Sequence, residues 1–272
     1  MDVRRHLIAA NGITLHVAEA GDATAPPVVW LHGIWDRWPL WEGVVSRLPG
    51  RHLMVELRGH GESDKPEGAA HYRLADYAAD IAGVLDALAL SRVAVVGFSL
   101  GGLVATALAG REPERVARVV FVDPPYTEHG DPFAQLADWR DLRRESPEDM
   151  AVALAFLRPD RTDAEREREA AWLRMTADGP FDALIAGTYG PFALAEDLPR
   201  VGQPALLLQA DPDAGGALPD AMAARAIALL PHATLARFPG SGHSIMRDQP
   251  DAFVAAVAPF LAAFAPDGGV QA

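Results

Sequence analysis

The 272-residue sequence contains no cysteine, which excludes disulfide bonds, thiolate catalysis and cysteine-ligated metal sites. Basic residues are outnumbered, with 24 Lys and Arg against 37 Asp and Glu, and the net charge of -13 would repel nucleic acid and anionic lipid surfaces. Long apolar runs are also missing, because none reaches about 18 residues without a charge or a proline. Residues 1–5 are not followed by the apolar core of a secretory signal. We therefore expect a cytoplasmic protein whose partners are neither nucleic acid nor a membrane.

Sequence motifs for cofactors and metals are missing as well. Residues 240–242 read Gly-Ser-Gly, which lacks the third glycine of a dinucleotide fingerprint and comes too late in the chain. No phosphate-loop motif occurs, and no pair of histidines has the HExxH spacing of a zinc site. The sequence thus predicts chemistry without a cofactor or a metal ion.

Short apolar strands alternate with helical patterns along the first 123 residues. Half of all residues are hydrophobic, so the chain can bury a large core. Strand patterns cover residues 13–18, 27–31, 53–57, 93–96 and 119–122, and an amphipathic helix covers 74–88. This alternation predicts an α/β fold, a doubly wound and mostly parallel sheet with helices on both faces and active loops at the carboxyl ends of the strands.

The strand pattern is interrupted between residues 124 and 200. That stretch is rich in charges and helix formers, with prolines at 132, 147, 159, 180 and 191. Strands resume at 205–209 and 233–238, and helices are predicted from about 219 to 230 and from about 250 to 264. We therefore predict a core in two parts, 1–123 and 201–265, with a helical lid at 124–200 and a frayed tail at 266–272.

Ser99 lies at the centre of a strand, a sharp turn and a helix. It follows the β-branched run 93–96 and precedes the small-residue helical stretch 103–109, with Gly97 and Gly101 two residues before and after it. The glycines permit a strained turn that presents the serine hydroxyl above the sheet. The helix that follows aims its first N–H groups at the same space, where an anionic intermediate would need donors. Ser99 is therefore the candidate nucleophile.

A second strand ends in His32-Gly33-Ile34-Trp35. The glycine lets the backbone turn under the sheet edge, so we expect the N–H groups of Ile34 and Leu100 to form an oxyanion hole together. Trp35 is a candidate for lining the substrate pocket, together with Phe98, whereas the imidazole of His32 is expected to be a buried structural group. The loop 58–66, including His60, is expected to be structural as well.

His243 lies in a glycine-bearing loop after the last strand and is the candidate general base. An aspartate at 211 or 213 follows the preceding strand, and the order serine, acid, histidine is that of triads on doubly wound sheets. Asp123 also ends a strand near the nucleophile, so it is a further candidate for the acid.

The residues 31–33, 58–63, 97–102 and 239–243 resemble motifs of the α/β-hydrolase fold family, and the resemblance extends over nearly the whole chain. It implies a serine hydrolase similar to esterases and to non-haem haloperoxidases, with Ser99 as nucleophile, His243 as base, and Ile34 and Leu100 as oxyanion donors. An aspartate at the position of Ser99 would have indicated a dehalogenase or an epoxide hydrolase. Many members carry Gly-x-x-Asp after the strand, which fits Asp213, but residues 210–216 match a variant pattern that points to Asp211, and we favour Asp211.

The function expected from these features is hydrolysis of a small-molecule carboxylic ester through an acyl-enzyme. A lactonase, an amidase, a carbon-carbon bond hydrolase and a cofactor-free perhydrolase use the same groups and stay open. A ligand receptor without turnover is disfavoured, because it has no need of a complete triad. Apolar side chains from 133–139 and 181–192 should line the inner face of the lid, which favours short or medium acyl groups over long-chain triglycerides and peptides.

Overall fold

One eight-stranded sheet forms the centre of the protein. The computed structural model describes residues 1–126, 136–159, 161–188 and 197–264. The strands are β1 Val3–Ala10, β2 Ile13–Gly21, β3 Pro27–Leu31, β4 Arg51–Val55, β5 Val93–Phe98, β6 Val116–Val122, β7 Ala205–Ala210 and β8 Ala233–Phe238.

The strand order explains where a ligand can bind. In the order β1-β2-β4-β3-β5-β6-β7-β8, only β2 runs antiparallel to both of its neighbours. The chain moves outward to one side at β4 and to the other side at β5, so the order reverses next to β3. In such sheets the crevice at the carboxyl ends of the strands beside the reversal is the binding site. The loops after β3 and β5 meet there.

The described helices cover both faces of the sheet. They are α1 Glu42–Val45, α2 Leu74–Ala87, α3 Leu100–Arg111, α4 Leu136–Leu142, α5 Pro147–Leu157, α6 Asp163–Arg174, α7 Asp178–Ile185, α8 Asp220–Leu229, α9 Ile245–Asp248 and α10 Pro250–Ala262. Because both faces are covered, β3 and β5 carry no polar side chain, and every residue of β5 and β7 is buried.

Alternate side chains of the strands enter two separate cores. On one face, Val95 and Phe121 pack with residues of α2 and α3, such as Ile81 and Val104. On the other face, Val96, Val120 and Leu208 pack with residues of α1 and α10. This alternation fixes the strand register, because a slip by one residue would exchange the two cores.

Helices α4 to α7, called here the helical segment, lie between β6 and β7 in the chain, as the predicted insertion requires. The predicted strands and the helices near 74–88, 219–230 and 250–264 are confirmed. Strand β1 was not predicted, since it is an edge strand whose residues alternate poorly and include Arg4, Arg5 and His6. Of the predicted lid residues, Phe133 and Phe192 lie outside the described residues, as does the tail 266–272. Among the described helices, none is long and apolar enough to cross a membrane.

Candidate active site

Ser99 stands at a strained turn between β5 and α3. Its φ of 52° and ψ of -115° fall outside the regions that ordinary residues adopt, and its N–H donates to the carbonyl of Val122 at 3.0 Å. The chain approaches itself closely at this turn. A Cβ at Gly97 would lie 2.1 Å from the carbonyl oxygen of Gly101, and one at Gly101 would lie 2.2 Å from that of Leu31. Both glycines are thus required by close approach of the backbone.

Asp123, rather than Asp211, is the carboxylate that faces His243. The His243 ring nitrogen Nδ1 lies 2.7 Å from Oδ2 of Asp123. The N–H of Ala217 donates to the same oxygen at 2.7 Å, and the N–H of Ala210 donates to Oδ1 at 3.0 Å. Since the carboxylate only accepts, Nδ1 carries the hydrogen, and Nε2 of a neutral His243 is left with a lone pair. That is the tautomer that a general base requires.

The sheet register places Ser99 and Asp123 side by side at the ends of neighbouring strands. Phe98 pairs with Val122 across β5 and β6, so Ser99 and Asp123 are each the first residue beyond paired positions. Asp123 is fully buried and has a φ of 42°, a left-handed backbone conformation that turns the chain at the end of β6. The backbone turn places its carboxylate between β7 and the loop that carries His243.

The preference for Asp211 was therefore wrong, and Asp213 does not take its place. Asp211 accepts from the N–H of Asp213 at 3.0 Å and from that of Gly240 at 2.8 Å. These backbone donors, with Gly240 first, lower the pKa of Asp211. Its carboxylate ties the loop after β7 to the loop after β8, while the side chain of Asp213 is exposed. Asp211 thus supports the loop of His243 without contacting the imidazole.

The loop after β3 lies against the turn at Ser99. The N–H of Gly101 donates to the carbonyl of His32 at 3.1 Å, which fixes the start of α3 against this loop. Ile34 and Leu100 both line the same cavity as Ser99. Leu100 begins α3, so its N–H has no acceptor within the helix and is available to a ligand. This placement is the one expected of two oxyanion donors.

His32 and His60 are structural, as predicted. His32 accepts from the N–H of Leu57 at 3.0 Å through Nε2, and its Nδ1 lies 2.7 Å from the carbonyl oxygen of Gly33. Burial lowers the pKa of His32 to about 4 and that of His60 to about 3. His60 Nδ1 lies 2.8 Å from the carbonyl oxygen of Arg58. Both rings are therefore neutral and serve to hold neighbouring loops.

A cavity of about 450 Å³ joins the candidate catalytic residues to the helical segment. Its described lining consists of Ile34, Trp35, Ser99, Leu100, Leu103, Pro125, Leu136, Trp139, Arg158, Leu184, Gly215, Gly216, Ala217 and His243. The volume suits a small molecule rather than a polymer.

Trp35 is among the described residues that line this cavity, and Phe98 is not. Phe98 is 2 % exposed and packs against the ring of His243, with 4.6 Å between the ring centroids. Phe98 therefore supports one side of the imidazole. Trp35 instead stacks on Trp139 of α4 at a centroid distance of 4.7 Å and an interplanar angle of 16°. The loop that carries Ile34 is thereby joined to the helical segment.

A set of buried charges lies beside the cavity. Asp36 is 6 % exposed, and burial raises its pKa to about 6 despite Arg247, whose Nη2 lies 3.2 Å from its Oδ1. Glu169 of α6 is 5 % exposed and lies 3.4 Å from Nε of Arg158. Arg158 also lines the cavity, and sequence reasoning did not single it out. Within the described residues, no group of three or more His, Asp or Glu side chains is arranged to hold a metal ion.

The chain is similar in sequence and fold to known proteins of one family. Residues 28–256 match the model of the alpha/beta hydrolase family. The 2-(acetamidomethylene)succinate hydrolase of Mesorhizobium japonicum is 40% identical over 119 residues, which cover 43% of this chain and 41% of that protein. The chain matches less than half of the length of the curated relatives ranked first.

Two solved structures illustrate the similarity in fold. The esterase of Exiguobacterium antarcticum superposes with a TM-score of 0.80 at 21% identity, covering 95% of this chain and 100% of its own. The enol-lactonase of Burkholderia xenovorans superposes with a TM-score of 0.78 at 24% identity, covering 94% of this chain and 100% of its own. At these identities the similarity concerns the fold alone.

Proposed function

Because the chain belongs to the alpha/beta hydrolase family, we propose that it is a serine hydrolase that cleaves small to medium carboxylic esters through an acyl-enzyme. The observation that carries this proposal is the shared cavity of Ser99 and His243, together with the 2.7 Å contact between His243 and the buried Asp123. A strained serine, a correctly oriented imidazole and a buried carboxylate are the three parts of a nucleophilic triad.

The proposed reaction begins with attack of the Ser99 hydroxyl on the ester carbonyl. Its proton passes to Nε2 of His243, and Asp123 stabilises the imidazolium through Nδ1–H. The N–H groups of Ile34 and Leu100 hold the oxyanion of the tetrahedral intermediate. The imidazolium then protonates the departing alcohol, which leaves the acyl group on Ser99. Water activated by neutral His243 repeats these steps and releases the acid.

We propose that residues 124–200 act as a lid over this reaction, between core parts 1–123 and 201–265. Support comes from Leu136, Trp139 and Leu184 of the helical segment, which line the same cavity as Ser99. A lid of this kind limits the volume available to the acyl group and excludes water from the bound ester. It therefore favours small esters over polymeric or interfacial substrates.

Labelling with a fluorophosphonate tests the proposed nucleophile. The reagent should add covalently to the peptide that contains Ser99, because only an activated serine beside oxyanion donors reacts readily with it. Ser99→Ala should abolish labelling, and Ser46→Ala, which changes an exposed serine, should leave it intact. Labelling of Ser99→Ala at the wild-type rate, or modification of another residue, would show that the proposed nucleophile is wrong.

The bond type is tested with a panel in which nitrophenyl esters are run beside a lactone, an anilide and a ring-cleavage dienoate. We expect the esters to be turned over fastest, since an alkoxide or phenoxide leaves more easily than an amine and nothing in the described lining marks a peptide-binding subsite. Turnover of the dienoate alone would move the protein to the carbon-carbon bond hydrolases.

A further inference from the structure

The described lining of the candidate site carries one permanent charge, that of Arg158. Among the described residues that line the cavity, Arg158 is the only Arg, Lys, Asp or Glu, and the remaining walls are apolar or glycine apart from Ser99 and His243. A cationic group among apolar walls fixes the orientation of an anionic ligand group.

Both the backbone and the side chain of Arg158 have contacts that hold them in place. Its backbone N–H caps α5 by donating to the carbonyl of Leu154 at 2.8 Å, and its own carbonyl accepts from the N–H of Arg161 at 3.1 Å. Its Cζ lies 5.1 Å from the ring centroid of Trp139, which in turn stacks on Trp35. The aromatic stack thus orients the charge before any ligand arrives, and less side-chain entropy is lost on binding.

The charge of Arg158 is only partly matched by the protein. Nε lies 3.4 Å from Oε1 of Glu169, a long contact for a charge-assisted hydrogen bond. Within the described residues, Nη1 and Nη2 of Arg158 have no hydrogen-bond acceptor, and the side chain is 35% exposed. The neighbouring cation Arg247 differs, because it contacts the buried Asp36. Two donors in a planar fork remain available on Arg158, which is the geometry that a carboxylate accepts.

We propose that Arg158 binds a carboxylate of the substrate, so that the site prefers molecules with a negatively charged group away from the reacting carbonyl. The identification of the ligand as an ester rests on the proposed function, whereas the preference for a carboxylate rests on Arg158 alone. Glu169 holds the guanidinium by one edge, and the ligand takes the other edge. The substrate class is thus the half-ester of a dicarboxylic acid, or an ester whose alcohol part carries a carboxylate.

Binding without turnover is the first test. The protein with Ser99→Ala is titrated with 3-phenylpropionate and with 3-phenylpropionamide, two ligands of equal shape that differ in charge, and tryptophan fluorescence reports binding. We expect the carboxylate to bind about 10- to 100-fold tighter than the amide, the range expected of hydrogen bonds to a charged group. Adding Arg158→Gln should remove this difference, and Arg158→Lys should keep part of it, since lysine retains the charge without the fork.

Arg144→Gln is the matched control. Arg144 lies between α4 and α5 and pairs with Asp178 and Asp141, but it is not among the described residues that line the cavity. Its replacement removes the same charge from the chain and should leave the ratio of the two affinities unchanged. A preference for carboxylate that persists in Arg158→Gln would place anion binding at the oxyanion donors or His243, and the proposal would be wrong. The proposal also fails if the two ligands bind equally to the protein with Arg158 intact.

Kinetics with a second pair of molecules separates this proposal from the proposed function. The mono-4-nitrophenyl ester of adipic acid and the same ester of adipic acid monoamide are compared in kcat/KM. We expect Arg158→Gln to lower the ratio of acid to amide by about 10-fold or more, mostly through a higher KM for the acid. If neither ester is hydrolysed but the binding preference depends on Arg158, the proposed function fails and this inference stands. If Ser99-dependent hydrolysis is found and the ratio is the same in Arg158→Gln, the inference fails and the proposed function stands.

Discussion

Replacing Asp123 by asparagine tests the triad where sequence and structure disagree. The asparagine amide has the shape of the carboxylate, and asparagine tolerates the left-handed backbone that Asp123 adopts at a φ of 42°. The backbone should therefore be retained. What changes is the number of acceptors, because three N–H groups now converge on a side chain with only one oxygen.

Either orientation of the new amide is unfavourable. If its oxygen faces His243 and Ala217, its NH2 group meets the N–H of Ala210. If its NH2 group faces His243, the imidazole must change tautomer, and Nε2 then carries a hydrogen and is no longer a base. In both cases the negative charge that stabilises the imidazolium is lost. We expect kcat to fall by about 10³ to 10⁴, near the loss that follows this change in a well-studied triad.

This loss corresponds to about 4 to 5.5 kcal/mol in the activation barrier. The free energy of unfolding should fall by only about 1 to 3 kcal/mol, the cost of one buried donor without an acceptor. Activity is measured with 4-nitrophenyl acetate and stability by urea unfolding, so the two effects are obtained on one preparation. Asp211→Asn and Asp213→Asn are the controls and should each reduce kcat by less than about tenfold, because the hydrogen bonds of Asp211 are to backbone N–H groups and the side chain of Asp213 is exposed. A large loss in Asp211→Asn, with Asp123→Asn near the wild type, would refute the assignment.

Three further predictions follow from the same structure. Gly101→Ala should lower the free energy of unfolding by at least about 1 to 3 kcal/mol in urea titration, because its Cβ would lie 2.2 Å from the carbonyl oxygen of Leu31, whereas Gly43→Ala, with open space at Cβ, should not. Asp36 has its pKa raised from 3.8 to about 6, mainly by burial, so the folded state binds its proton more tightly and this group lowers stability as pH rises from about 4 to about 6. Asp36→Asn removes this loss of stability, so between about pH 4 and pH 6 the free energy of unfolding of the variant should increase more with pH than that of the wild type. Identical pH dependence of the two proteins would show that Asp36 does not titrate in this range. With a cavity of about 450 Å³, nitrophenyl acetate and butyrate should be cleaved well and palmitate poorly, and a preference for palmitate would show an open site.

Much of the fold was predictable because the central strands are apolar on both faces and are separated by turn residues. Ser99 was predictable for a similar reason, since a tight strand-turn-helix leaves a local signature of two glycines. The loop of His243 also follows directly after a strand. These signals are local in the sequence.

The acid was not predictable in this way. Asp123 and Asp211 both follow parallel strands that are neighbours in the sheet, so both reach the same edge near His243. What separates them is the left-handed turn at Asp123 and the backbone donors that occupy Asp211, and both depend on how the loops pack. Arg158 was missed because its place in the cavity wall depends on packing against Trp139, a neighbour in space and not in sequence.

The stack of Trp35 on Trp139 connects the proposed lid to the loop that carries Ile34. Trp35 follows Ile34 directly and has a positive φ of 53°. Because its ring stacks on Trp139, the contact helps to hold the backbone of the proposed oxyanion loop. A substrate large enough to displace Trp139 would therefore disturb a support of Ile34, one of the two proposed oxyanion donors. Acyl-chain length should therefore change the rate of acylation as well as the affinity. We expect the specificity of the proposed enzyme to depend partly on whether a bound substrate leaves the stack of Trp35 on Trp139 in place.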